Sequence, residues 1–158
     1  MKLLHAIVCS DIIVDRETGS TSYIRSFEHG TVRKLPAQVP PFYVGTLWEL
    51  DPKSKTPFTV GLRIKSPTGE ITALGSNQVK PTGATLHKVN FAMPGLSVKE
   101  EGRHVLQVLL RTDKKQGVAM ELPLFVLMHT GQAKGAPAKA PAKKAAKAAP
   151  KKADSKKQ

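Results

Sequence analysis

FTVGLRIKS, residues 58–66, alternates without a slip. Phe58, Val60, Leu62 and Ile64 fall on one side, and Thr59, Gly61, Arg63 and Lys65 on the other. A period of two gives a strand one buried and one wet face. SPTGE (66–70) then supplies Pro67 and Gly69 to a turn. ITALG (71–75) brings the chain back, so residues 58–75 read as a β-hairpin.

The pattern extends in both directions. FYVGTLWEL (42–50) is a strand closed by DPKSKTP, with Tyr43 and Trp48 on opposite faces. One of the two enters the core and the other is free to anchor a contact surface. TLHKVNFAM (85–93) places Val89, Phe91 and Met93 together, and HVLQVLLR (104–111) turns Leu106, Val108 and Leu110 inward. Between them, LGSNQVKPTGATLH reads as a long hairpin connection. TDKKQG turns the chain into a last strand, VAMELPLFVLM (118–128). Pro123 has no amide donor, which places that strand at an edge or bulges it there. Arg63 and Lys65 share one outer face, and Arg103 and Arg111 another. They make a single basic sheet face if their strands are neighbours, and are scattered solvated charges otherwise.

The opening, MKLLHAIVCSD (1–11), has two readings. A lipoprotein signal needs about 7–15 apolar residues and a small residue before the cysteine. Leu3–Val8 is shorter, is interrupted by His5, and ends on valine. The β-branched Ile12, Ile13 and Val14 continue it, so residues 2–9 read as a strand with Cys9 as a small buried hydrophobe. IIVD, the turn RETGS and TSYIRSFE follow as a weaker pair. The sum is about eight strands, short turns and no helix of ten residues. This is an all-β chain, expected to be an antiparallel β-sandwich over residues 1–130, with a small barrel as the alternative.

Composition changes after His129. Residues 131–158 hold ten alanines, nine lysines, three prolines and one acid, Asp154, and no Val, Ile, Leu, Met or aromatic residue. Such a segment buries too little apolar surface to offset its ordering entropy and is expected to be disordered. The whole chain carries +13, and nine lysines against one aspartate put +8 of it in this tail. Residues 1–130 keep +5, from sixteen Lys and Arg against eleven Asp and Glu. A polycation of this density displaces counterions from nucleic acid. The candidate nucleic-acid contacts are Lys134, Lys139, Lys143, Lys144, Lys147, Lys151, Lys152, Lys156 and Lys157. The tail has no arginine or aromatic residue, so contact with DNA or RNA should be blind to sequence.

Chemistry is harder to locate. His5, His29, His87, His104 and His129 show no metal-ligand spacing with one another or with Cys9. Asp11, Asp15 and Glu17 could gather at a sheet end around calcium, but lack the glycine spacing of a calcium loop. The plainer reading gives Asp15 to the RETG turn. No nucleophile elbow, phosphate loop or dinucleotide fingerprint occurs. The sequence nominates no catalytic residue, metal or cofactor. No apolar run of 18 residues exists to span a membrane. The single cysteine allows no internal disulfide and fits a reducing, cytoplasmic setting.

Two resemblances add to this. A first strand ending in CSD, then PPFYVGTLWEL, FTVGLRIKSPTGE and EEGRHVLQVLL, is similar to a group of uncharacterised bacterial β-sandwich domains, over residues 2–128. The resemblance implies a bacterial cytoplasmic sandwich and no particular activity. The tail resembles the lysine-alanine-proline C-terminal tails of linker histones and histone-like bacterial proteins, which implies non-specific DNA or RNA contact. The expected function is a non-enzymatic binding module. Its sandwich recognises a protein partner and its tail contacts nucleic acid. The alternatives are an adaptor whose tail serves only solubility or acidic surfaces, and an enzyme with an unrecognised site. Oligomeric state is left open.

Overall fold

A computed structural model describes residues 1–113 and 115–129. The candidate tail, with its nine lysines and its expected disorder, lies outside the described residues. Within them the chain is all-β, with eleven strands: β1 (Lys2–Val14), β2 (Thr21–Ser26), β3 (His29–Val32), β4 (Ala37–Val39), β5 (Phe42–Glu49), β6 (Phe58–Lys65), β7 (Ile71–Val79), β8 (Leu86–Met93), β9 (Leu96–Val98), β10 (Gly102–Arg111) and β11 (Gln116–Met128). They form a four-stranded sheet in the order β2-β1-β5-β8, a five-stranded sheet in the order β3-β11-β10-β6-β7, and a β4-β9 pair.

The alternation read from the sequence is what builds the core. Phe58, Val60, Leu62 and Ile64 of β6 are buried, as are Leu106 and Val108 of β10. They join Phe42, Val44 and Trp48 of β5 and Val89, Phe91 and Met93 of β8 in one cluster. Each such side chain contributes roughly 1.5–3 kcal/mol by leaving water. Trp48 is fully buried, and its indole Nε1 donates to Thr46 Oγ1 at 2.9 Å. Thr46 Oγ1 in turn donates to the Val89 carbonyl at 2.8 Å, so the polar atoms of both side chains are paired. Trp48 is therefore the core aromatic, while Tyr43 is half-buried on the outward face.

Several expectations need correction. There are eleven strands, not about eight, because β3, β4 and β9 are three or four residues long and carry too little pattern to read. One pair is not antiparallel: β3 runs parallel to the end of β11, from Phe125–His29 to Met128–Val32. The connection after residue 75 is largely strand, since β7 stays paired to β6 as far as Val79–Phe58. Its Ser76, Asn77 and Gln78 are exposed, so hydropathy gave no sign of it. The opening residues form one long strand, β1, held between β2 and β5. Pro123 sits in register with Val105, and β3 reaches only Phe125, so the strand is edge-like at the proline. The irregularity in the β10–β11 ladder lies elsewhere, between Val108 and Leu109.

Candidate interaction face on the five-stranded sheet

The condition for a basic face is met. β6 and β10 are neighbours, with Arg63 opposite Gln107, Lys65 opposite Val105, and Arg111 opposite Thr59. Arg103, one strand further in register, lies opposite Phe125 of β11. All four cations occupy positions that alternate with the buried ones, so they share the outward face.

At the centre of this face a polar ladder crosses three strands. Arg63 Nε donates to Gln107 Oε1 at 2.6 Å. Gln107 Nε2 donates to Glu121 Oε1, also at 2.6 Å. Gln107 is only 7% exposed, which is unusual for an amide on an outward face. Its carbonyl and amine are both used, so its orientation is fixed from each side. The ladder occupies the Nε edge of Arg63, and among the described residues no acceptor takes its terminal NH2 groups. A guanidinium held in this way is pre-oriented for a carboxylate or a phosphate.

Around the ladder the face is apolar as well as basic. Ile71, Val118, Phe125 and Leu127 are 52%, 43%, 38% and 47% exposed. A shallow groove of about 510 Å³ runs over β6, β7 and β10, between Arg63 and Arg111, with Leu109, Ile71 and Ala73 along it. Gly61 and Gly75 keep its floor low. Arg63 and Arg111 are legible in the sequence; the link from Gln107 to Glu121 is not, since a carboxylate at a strand position reads as solvated. The available signal was an amide at an outward position of the otherwise apolar HVLQVLLR.

On the four-stranded sheet, part of the outward face is covered. The β1–β2 hairpin folds back across it. Tyr23 lies against Gly45, where an added Cβ would collide with the ring. Tyr23 also meets His5 edge-on, with centroids 6.1 Å apart. Lys88 Nζ pins the hairpin by donating to Gly19 O at 3.0 Å and Thr21 Oγ1 at 2.8 Å. Cys9 is fully buried, as its sequence suggested. Burial pushes its thiol pKa up, and hydrogen bonding from the Asp11 backbone offsets part of the shift. Burial likewise raises the Tyr23 phenol.

The remaining candidates resolve into structural roles. Asp15 accepts hydrogen bonds from Glu17 N, Thr18 N and Thr18 Oγ1 at 2.7–2.9 Å, which hold its pKa below the usual carboxylate range. It closes the hairpin turn, and the calcium reading does not survive: no metal-holding group of His, Cys, Asp and Glu exists among the described residues. A small cleft of about 70 Å³ is lined by His104, Glu70 and Glu100 among others. Its groups have local partners. His104 Nδ1 is 3.4 Å from Gly102 O, Glu100 accepts from Thr68 Oγ1 at 2.8 Å, and Glu70 pairs with Lys99 at 3.5 Å. A cleft of that volume holds a few waters.

The chain matches no protein-family model and no curated protein. No helix among the described residues is long and apolar enough to cross a membrane.

Proposed function

We propose that this chain is a non-enzymatic binding module of the cytoplasm. In this reading the two larger sheets are the layers of a β-sandwich that recognises a protein partner. The lysine-rich segment 131–158 contacts DNA or RNA without sequence preference. One observation carries the reading: β11, the strand that leads toward that segment, belongs to the sheet whose outward face bears Arg63, Lys65, Arg103 and Arg111. Four cations therefore share a sheet with the strand that leads toward the lysines. A shared sheet lets a weak, sequence-blind tether raise the local concentration of a second, specific contact.

The test is a titration of the full-length protein and of a 1–130 truncation against random duplex DNA at 50 and 200 mM salt. Full-length protein should bind and lose roughly a thousand-fold in affinity across that range. The truncation should bind far more weakly. Equal binding by both would move the contact onto the sheets, and binding by neither would leave an adaptor without a nucleic-acid role.

A further inference from the structure

We propose that the partner is an extended acidic segment that joins the five-stranded sheet as a sixth strand alongside β7, with a carboxylate taken by Arg63. The proposal rests on the partner-recognition reading above and gives that partner a chemistry.

The edge comes first. β7 and β3 are the edges of the five-stranded sheet, and β2 and β8 those of the four-stranded one. An open edge offers unpaired N–H and C=O groups to any extended chain, so sheets usually blunt it with charge, proline, brevity or a bulge. β3 has four residues. β2 contains Arg25 at φ 52°, and β8 carries Lys88. β7 is nine residues long, exposed along most of its length, and has neither charge nor proline. It keeps one device, a bulge between its pairs Ala73–Arg63 and Gly75–Leu62. β8 approaches it at Asn77, whose Nδ2 lies 3.4 Å from Asn90 O. Ile71–Ser76 is the stretch beyond that approach.

The face beside this edge chooses the occupant. Ala73 and Ser76 stand outward in register with Arg63 and Gly61. Small side chains there leave Arg63 approachable from the edge, about two strand spacings, or roughly 10 Å, from an added strand. That distance is within the joint reach of a glutamate and an arginine. The ladder takes only Nε of Arg63, which lines the groove, and Arg111, one strand further from the edge, adds positive charge at the groove's other end. A peptide satisfies both the edge, through its backbone, and Arg63, through a carboxylate. A nucleic-acid strand satisfies the arginines alone. A second copy pairing antiparallel about Gly75 would set Glu70 of one copy opposite Lys80 of the other, but would bring no anion to Arg63 or Arg111.

The experiment uses the full-length chain with its nine tail lysines changed to glutamine, so that the tail does not capture the probe. A fluorescent decapeptide of alternating valine and glutamate is titrated by anisotropy at 150 mM salt. It should bind saturably. Arg63→Gln should weaken it at least about tenfold, the loss expected for a charge-assisted hydrogen bond. Ser76→Glu, an exposed change beside the groove, should do the same with an unshifted urea midpoint. The same peptide N-methylated at alternate residues should not bind. Equal binding of the N-methylated peptide would overturn strand addition. Equal binding of a valine–glutamine peptide would overturn the acidic preference. Tighter binding of oligothymidylate at the same face, or self-association through β7 without peptide binding, would overturn the choice of occupant. A photo-crosslinker at Thr72 separates the two readings. Discrete protein adducts in cells with every peptide inactive would sink strand addition and spare the broader reading. No adducts from Thr72, Val105 or Phe125 would remove both.

Discussion

The outward faces of the two larger sheets are built alike and finished differently. Each has a glycine in mid-strand, Gly45 on β5 and Gly61 on β6. On the four-stranded sheet the β1–β2 hairpin covers that glycine with Tyr23. On the five-stranded sheet the nearest atom to an added Cβ is Leu109 Cβ, at an ordinary 3.6 Å. One face is covered around its glycine by its own chain. The other carries the arginines, the buried Gln107 and most of the exposed apolar side chains of its sheet. A face left open by local sequence that had a hairpin within reach elsewhere is where binding is to be sought.

The strongest way to break this comparison is to make the same substitution on both sides. Gly45→Val should cost about 3 kcal/mol, because the new side chain must displace the Tyr23 ring from a packed position. Gly61→Val should stay within about 1 kcal/mol of neutral, since valine favours strands and has room there. Urea unfolding of both variants measures the difference, and equal costs would mean the hairpin is not a cover.

A pH titration sharpens the same contrast. The Cys9 and Tyr23 pKa values are both raised in the fold, and burial is the first cause of each. For the thiol, the unfolded chain gives up its proton first, so N binds more protons than U above the ordinary thiol value. That contribution to stability is complete below the unfolded pKa, about 8.5, and is lost as pH rises from there through the folded value. The urea midpoint should fall across this range, and Cys9→Ala should flatten the fall. Tyr23→Ala should speed thiol labelling of Cys9 roughly tenfold or more, by opening the cover locally.

Smaller effects belong to single polar contacts. Gln107→Leu should cost about 1 kcal/mol, the net worth of the hydrogen bonds lost less the apolar gain. It should also weaken binding of the acidic peptide, because Arg63 is no longer oriented. Lys88→Met should change global stability by no more than about 0.5 kcal/mol, as surface contacts do. Its signature is local: amides of residues 19–23 should exchange faster while those of β5 do not.

Much of this is legible in the sequence alone. The inward sets of β5, β6, β8 and β10 follow from period-two alternation, and the β-branched neighbours of Cys9 mark it as a small buried hydrophobe. Arg63, Lys65, Arg103 and Arg111 were sorted by parity. What parity lacked was the identity of the neighbouring strand. β7 beyond Gly75 escaped notice because an edge strand exposed on both faces has no hydrophobic period to show. Gln107 escaped notice because burial of an outward amide depends on Arg63 and Glu121 arriving from strands 44 and 14 residues away.

By itself the sequence determined which side chains turn inward along each strand and where the lysines are concentrated, because alternation and composition are local properties of the chain. Only the tertiary structure decided which strands lie side by side, which edge stays open and which face the hairpin covers. Backbone hydrogen bonds are chemically the same at almost every residue, so partner and register are chosen by packing between distant segments. That choice turned two separate pairs of cations into one face.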